Sequence, residues 1–273
     1  MQKFILSEIN VYPIKSLGGV SLKIAKVEKR GLQLDRRWML VDEKMKFISQ
    51  RAYPQMSLLR VEIGVNGLKI SHKKDFGEII FIPFNNSFEE EIEVKIWDDF
   101  CKAQAMAESY GRWFSKILGI KCMLVFMPDD SLRRVDPRYS SGDEIVGFAD
   151  AYPFLLIGQS SLNELNSRLE KRIPMNRFRP NLVFTGGESF IEDKWEKFRI
   201  GNIEFECVKP CARCTVTTVN QDTSEVCKEP LATLSLFRKF GNQVLFGQNL
   251  IHAGEGNISI GDELEVIEEK SKV

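Results

Sequence analysis

The feature that most constrains this chain is its punctuation. Short apolar runs with a period of two are broken, again and again, by Gly, Pro or Asn. Residues 20–27 set Val20, Leu22 and Ile24 against Ser21, Lys23 and Ala25, the alternation of a strand with one buried face. Residues 4–12 alternate loosely and stop at Pro13, and 37–41 form a compact apolar strand leading into a polar, hairpin-like connection at 42–46. Residues 58–65, 78–81 and 92–97 continue the pattern, with Asn66-Gly67 as a turn. Further strands are expected at 122–126, 181–185, 201–208, 215–219 and 264–267. Helical spacing is confined to a few stretches. Met106, Tyr110, Trp113, Phe114 and Ile117 share one face over 104–118, with Gly119 as the stop. Ser161-Leu-Asn-Glu164 reads as a capping box opening a second helix, which Pro174 ends. A short helix over 231–240 would stop at Gly241. Strands that do not alternate with helices argue against stacked βαβ units. The expected class is mixed and β-dominated (α+β), with a boundary near residues 120–145.

The chain has 273 residues, enough for one large domain or two ordinary ones, and for a core that needs no disulfides. Its 38 basic and 38 acidic residues cancel, which argues against a nucleic-acid or anionic-membrane binder. A basic cluster inside a cleft stays compatible, because net charge does not report clefts. No apolar run reaches the length of a signal-peptide core or a membrane span. A cytoplasmic protein with no membrane span is therefore expected, with its six cysteines reduced. The acidic run Glu89-Glu90-Glu91 reads as a solvated loop or edge. Gly186-Gly187 matches neither a Walker loop nor a dinucleotide fingerprint, and no G-x-S-x-G elbow or metalloprotease helix appears.

The chemistry concentrates in Lys209-Pro-Cys-Ala-Arg-Cys214. Cys207, Cys211, Cys214 and Cys227 could supply four thiolates to a structural zinc, but C-x3-C-x2-C-x12-C lacks the second tight pair of a zinc ribbon. Cys207 also falls on the alternating face of Ile203 and Phe205, as a core residue would. The two histidines, His72 and His252, are remote in sequence. Cys211-Ala-Arg-Cys214 has dithiol spacing, yet a β-branched run follows it instead of a helix. Cysteine is among the most buried residue types, and simple packing is the expectation for Cys101, Cys122, Cys207 and Cys227. The remaining reading is a single thiolate for a thiophilic metal, with Arg213 lowering the Cys214 thiol pKa. Lys15-Ser16, Asp35-Arg36-Arg37 and Arg177-Phe-Arg-Pro-Asn181 lie at expected strand ends, where cations commonly line a cleft.

Tyr12-Pro-Ile-Lys-Ser16, Leu34-Asp-Arg-Arg-Trp38, Asn176-Arg-Phe-Arg-Pro-Asn181, Glu192-Asp-Lys-Trp195, Pro210-Cys-Ala-Arg-Cys214 with Thr217-Thr218, Leu245-Phe-Gly-Gln248 and Ile258-Ser-Ile-Gly-Asp262 together resemble the MOSC proteins. The nearest subgroup is the mitochondrial amidoxime reducing component and its bacterial relatives. The resemblance implies an N-terminal β-barrel-like domain at 1–122 packed on a C-terminal MOSC β-barrel domain at 123–273. It also implies a molybdenum-molybdopterin cofactor, with Cys214 as the catalytic thiolate on the metal. Lys15, Ser16, Arg36, Arg179, Ala212 and Arg213 would hold the pterin and its phosphate, with Asp150 and Asn181 as further cofactor-binding positions. The implied reaction is two-electron reduction of small N-hydroxylated substrates. Electrons would come from a separate donor: a flavoprotein, a ferredoxin, or a b-type cytochrome with its reductase. Two other functions fit the same motif: sulfur or cofactor carriage on a Cys214 persulfide, and a structural zinc module. The chain reads Thr217-Thr-Val-Asn220 where the family usually has a final Asp, and Ala151-Tyr152 where hydroxyl residues are frequent.

Overall fold

The computed structural model describes residues 3–86, 88–140 and 142–271; Ser141, in the boundary region expected at 120–145, lies outside them. The fold is β-dominated, as expected, and its centre is a closed seven-stranded barrel. In spatial order the barrel strands are Phe154–Gly158, Leu182–Thr185, Phe4–Val11, Glu263–Glu269, Trp195–Ile200, Ile203–Ala212 and Gln243–Ala253. Pairing of Phe154–Gly158 with Gln243–Ala253 shuts the ring. All neighbours are antiparallel except Phe154–Gly158 and Leu182–Thr185. The first strand of the chain thus lies between two strands from its second half.

Period-two patterning explains which side chains fill the barrel. Phe198, Ile200, Ile203, Phe205 and Cys207 pack in one cluster with Leu6, Phe184 and Trp195. Cys207 is 3% exposed there, and burial pushes its thiol up to about 12, the packing role its alternation suggested. The strand Phe154–Gly158 is buried at every position. Phe154 and Leu156 belong to the barrel core, whereas Leu155 and Ile157 pack in a second cluster with Leu162 and Leu165 of the helix Gln159–Ser167. A strand covered on both faces loses its alternation, which is why no period of two marks residues 154–158.

A second lobe holds a four-stranded sheet, in the order Trp38–Val41, Met123–Phe126, Asp99–Met106 and Phe88–Ile96, and a three-stranded sheet of Leu59–Ile63, Gly67–His72 and Ile79–Pro83. The helix Glu108–Leu118 packs on Met123–Phe126. Gly119 ends it in the left-handed conformation, φ 68°. The strands Gly256–Ser259, Ile24–Glu28 and Gly31–Leu32 form a third small sheet. No helix among the described residues is long and apolar enough to cross a membrane.

Four local expectations change. Residues 104–106 end a strand, and the first helix begins only at Glu108; Met106 packs inward in either conformation, so periodicity could not separate them. The second helix starts at Gln159 with Gly158 as its N-cap. Ser161 donates instead to the buried Glu192 carboxylate, at 2.7 and 2.9 Å, and that carboxylate also accepts from the Gly158 N–H. Thr215–Thr218 is a 3-10 turn and not a strand, because the Thr217 and Thr218 hydroxyls donate back to the Cys214 and Thr215 carbonyls. The short third helix covers only Leu231–Ser235.

Candidate functional site

Where the two lobes meet, one open cleft gathers every site residue the sequence singled out: Lys15, Ser16, Arg36, Asp150, Arg179, Asn181, Ala212, Arg213 and Cys214. Ser49, Arg51, Cys211 and Phe178 line it as well. Its charged lining comprises five cations and a single carboxylate, Asp150, in a chain whose charges sum to zero.

Each wall is set by local backbone. Register shifts follow Cys207 and Pro210 in the strand Ile203–Ala212; bulges of this kind re-aim side chains beside functional sites. They carry the chain from the barrel core to Cys211 and Ala212 at the cleft. Cys214 then caps the 3-10 turn, half-buried, and its sulfur makes no hydrogen bond among the described residues. On the opposite wall, the 12–15 segment is laced to 36–38. Arg36 N donates to the Tyr12 carbonyl (3.0 Å), Trp38 N to Pro13 (3.0 Å) and Lys15 N to Trp38 (2.8 Å). Gly147 permits a further approach, of 147–148 to this segment: a Cβ there would lie 2.9 Å from the Arg36 carbonyl, to which Phe148 N donates. Ser16, Arg36 and Arg179 have φ values of 69°, 48° and 57°. Left-handed backbone in non-glycine residues costs roughly 1 kcal/mol or more each, and such strain collects at functional sites.

The cations fall into two groups. In the first, two guanidiniums lie against the Tyr12 ring, Arg36 at 4.3 Å and Arg179 at 4.2 Å from its centroid. Arg36 is held by Asp35 Oδ2 (2.6 Å) and Asn181 Oδ1 (3.0 Å). Arg179 has no hydrogen bond or ion pair from its side chain among the described residues. Burial lowers its pKa to about 10, so it stays charged at neutral pH. Burial raises the Tyr12 phenol to about 12, and its hydroxyl donates to the Pro180 carbonyl at 3.1 Å. Asn181 is 2% exposed. Its side chain bonds Arg36, Leu155 N and the Asn10 carbonyl, so it braces the wall.

In the second group, Lys15 is 6% exposed and its Nζ donates to Asp150 Oδ1 (2.6 Å) and the Phe148 carbonyl (2.7 Å). Burial is the largest influence on Lys15 and lowers it to about 8; Asp150 opposes the shift and Arg133 and Arg36 add to it. Loss of water raises the Asp150 carboxyl, but the Lys15 ammonium, Arg51 and the Trp97 indole together outweigh that effect and hold it below the usual carboxylate range. Arg133, 4% exposed, clamps this segment by donating to the carbonyls of Gly147, Ala149 and Asp150 and to Asp99.

Arg213 departs from expectation. Its guanidinium donates to Cys211 Sγ (2.9 Å) and the Phe178 carbonyl (2.6 Å), so it contacts the first cysteine of the pair and not Cys214. Its Nε is buried with no hydrogen-bond partner, a rarity that calls for a ligand or a water. Sequence reasoning gave no site role to Tyr12, Ser49, Arg51 or Arg133. Tyr12 stood inside a quoted motif; the others carry no local signal. Among the described residues no three His, Cys, Asp or Glu side chains converge on a metal-sized centre. The four-thiolate zinc arrangement therefore lacks its geometry.

The depressed Lys15 value gives a pH prediction. The folded pKa lies below the 10.5 of an ordinary lysine. The charged form therefore costs stability, in full below about pH 8, and the cost disappears as pH rises to that ordinary value. Anion affinity runs the other way, because the ammonium is lost above about pH 8. Sulfate, which does not titrate in this range, should bind about fivefold more weakly at pH 9.5 than at pH 7. Titration calorimetry on a Lys15→Met variant should show that dependence flattened; an unchanged slope would refute the assignment.

A β-barrel joined to a second β lobe, with a cation-lined cleft and one unpartnered thiol between them, defines the class. Residues 3–121 match the MOSC N-terminal beta barrel domain and residues 143–265 match the MOSC domain. The chain belongs to the MOSC family. It is 30% identical to mitochondrial amidoxime-reducing component 1 of Mus musculus, over 96% of this chain and 82% of that protein. It is 31% identical to mitochondrial amidoxime reducing component 2 of Rattus norvegicus, over 94% and 81%. A molybdenum cofactor sulfurase of Oryza sativa subsp. japonica is 30% identical over 96% of this chain, but over only 34% of its own length.

Proposed function

We propose that the cleft holds a molybdenum-molybdopterin cofactor, with Cys214 as the protein thiolate on the metal, and that the protein reduces small N-hydroxylated compounds. The observation that carries this reading is the placement of the free Cys214 sulfur in the same cleft as the unpaired Arg179 guanidinium and the orphaned Arg213 Nε. The residues fit the group. With no cluster of protein ligands nearby, a lone thiolate suits a metal that arrives with most of its ligands already attached. When bound, the cofactor supplies the two-electron chemistry by which an N–OH compound, two electrons and two protons become the amine or amidine and water.

The chain's own residues supply the rest. Arg36 and Arg179, both packed on Tyr12, present planar donors suited to a phosphate. Arg213 offers its buried Nε–H. Ser16 and Ala212 line the same cleft. Lys15 and Asp150 place a salt-bridged ammonium at the cleft, able to hold a proton beside a departing hydroxyl. Electrons would come from a separate protein: a flavoprotein, a ferredoxin, or a b-type cytochrome with its reductase. The relatives named amidoxime-reducing components support the substrate class. The sulfurase relative supports a second reading, in which Cys214 carries sulfur or delivers cofactor without turnover.

Protein purified from a host that makes molybdopterin should contain about one molybdenum per chain and convert benzamidoxime to benzamidine with a chemical reductant. Molybdenum without turnover would favour the carrier reading. Zinc with no molybdenum would overturn both.

A further inference from the structure

We propose that Arg51, stacked on Trp97, is an anchor for the substrate's own negative charge, so that the site favours N-hydroxylated compounds bearing a carboxylate. The proposal rests on the reductase reading and names the substrate class within it.

Four of the five cleft cations are accounted for on one wall or by one partner. Arg36 and Arg179 share Tyr12, Arg213 reaches the Phe178 carbonyl and Cys211, and Lys15 is paired with Asp150. Arg51 stands apart. Its guanidinium carbon lies 4.0 Å from the Trp97 ring centroid and 5.9 Å from that of Phe47. Among the described residues its side chain makes no hydrogen bond and no ion pair. A guanidinium stacked by one face keeps its edge donors free, and those donors grip a carboxylate in a two-pronged fashion.

The mount is rigid. Ala52 N and Tyr53 N both donate to the Ser49 carbonyl, which closes the turn carrying Arg51. Gln50 donates to the Ser16 carbonyl at 2.7 Å and exchanges bonds with Gln221. Trp97 opens the two-residue hairpin turn between Phe88–Ile96 and Asp99–Met106 with φ 57°, a position where a bulky residue is rare. Its indole N–H reaches Asp150 Oδ1 at 3.3 Å, and its ring meets Phe47 at 5.1 Å. Asp150 would repel an incoming carboxylate, but Lys15 neutralises it. The cofactor's phosphate draws on the Tyr12 group, which leaves Arg51 as the cation available to substrate.

The test compares benzamidoxime with 4-carboxybenzamidoxime in the full chain and in Arg51→Gln and Arg51→Lys variants, with molybdenum and pterin content measured in each. The wild type should prefer the carboxylated compound. Its kcat/KM ratio over the neutral one should fall about tenfold in Arg51→Gln, mainly through KM, and recover in part in Arg51→Lys. Binding of 4-amidinobenzoate, followed by NMR titration without turnover, should weaken by the same factor. If neither oxime is reduced but this binding still depends on Arg51, the reductase reading fails and the anchor stands. An unchanged ratio with unchanged binding overturns the anchor. So does loss of molybdenum or pterin in Arg51→Gln, which would place the residue with the cofactor.

Discussion

Replacement of Cys214 by serine is expected to lower benzamidoxime reduction by at least about a hundredfold. Loss of residues that merely orient metal ligands costs about 10- to 100-fold, and loss of a ligand itself should cost no less. Stability should change by only about 0.5 kcal/mol. The Cys214 sulfur is half-buried and makes no hydrogen bond among the described residues, and the turn that follows is held by its carbonyl, which accepts from Thr217 N and Oγ1. Activity with a chemical reductant, molybdenum content and thermal unfolding separate these effects. Cys211→Ser is the control: its sulfur accepts from Arg213 and donates weakly to the Ala212 carbonyl, contacts a serine hydroxyl can also make, and the variant should stay within about tenfold of wild type. A fully active Cys214→Ser protein would end the ligand assignment, and equal losses in both variants would reduce it to a packing effect.

Arg133→Met should produce the largest loss of stability, about 3–5 kcal/mol in urea unfolding. The methionine keeps much of the apolar stem and removes a buried charge that satisfies three backbone carbonyls and Asp99. Those carbonyls, at Gly147, Ala149 and Asp150, would be left without their donor, and each unsatisfied buried group costs about 1–3 kcal/mol. The same change should free the segment that aims Asp150 at Lys15, raising amide exchange at residues 147–150. A loss under about 1 kcal/mol would show that water replaces the guanidinium and that Arg133 is no clamp.

The two residues mark the limits of what could be read from the chain. The place of Cys214 was legible because its neighbours in sequence, Cys211 to Arg213, are also its neighbours in the cleft. Lys15, Ser16, Arg36 and Arg179 were legible for a similar reason, as each stands in a local motif next to a strand end. Arg133 was not, because its partners are mainly carbonyls, which every residue possesses and no sequence distinguishes. Arg51 and Trp97 meet across 46 positions of chain, and neither segment announces the other. Strands with one wet face, such as Ile203–Ala212, showed their alternation. Phe154–Gly158 hid its own between two cores. The second helix was misplaced at its start because Glu192, 31 residues from Ser161, takes the hydroxyl that a capping box would have used. Arg213 was correctly placed in the cleft, but nothing in Cys-Ala-Arg-Cys says which sulfur its guanidinium will face.

The first strand, Phe4–Val11, is gripped on one side by Leu182–Thr185 and on the other by Glu263–Glu269. A chain growing on the ribosome therefore cannot finish this ring until nearly all of it has been made. Residues 9–11 find a local mate in Val20–Leu22, but Phe4 and Ile5 must wait for one more than 250 positions later. Such distant closure makes for slow folding and a vulnerable nascent chain. Clipping the first ten or so residues would open a gap in the ring beside Asn181, far along the chain from the cut.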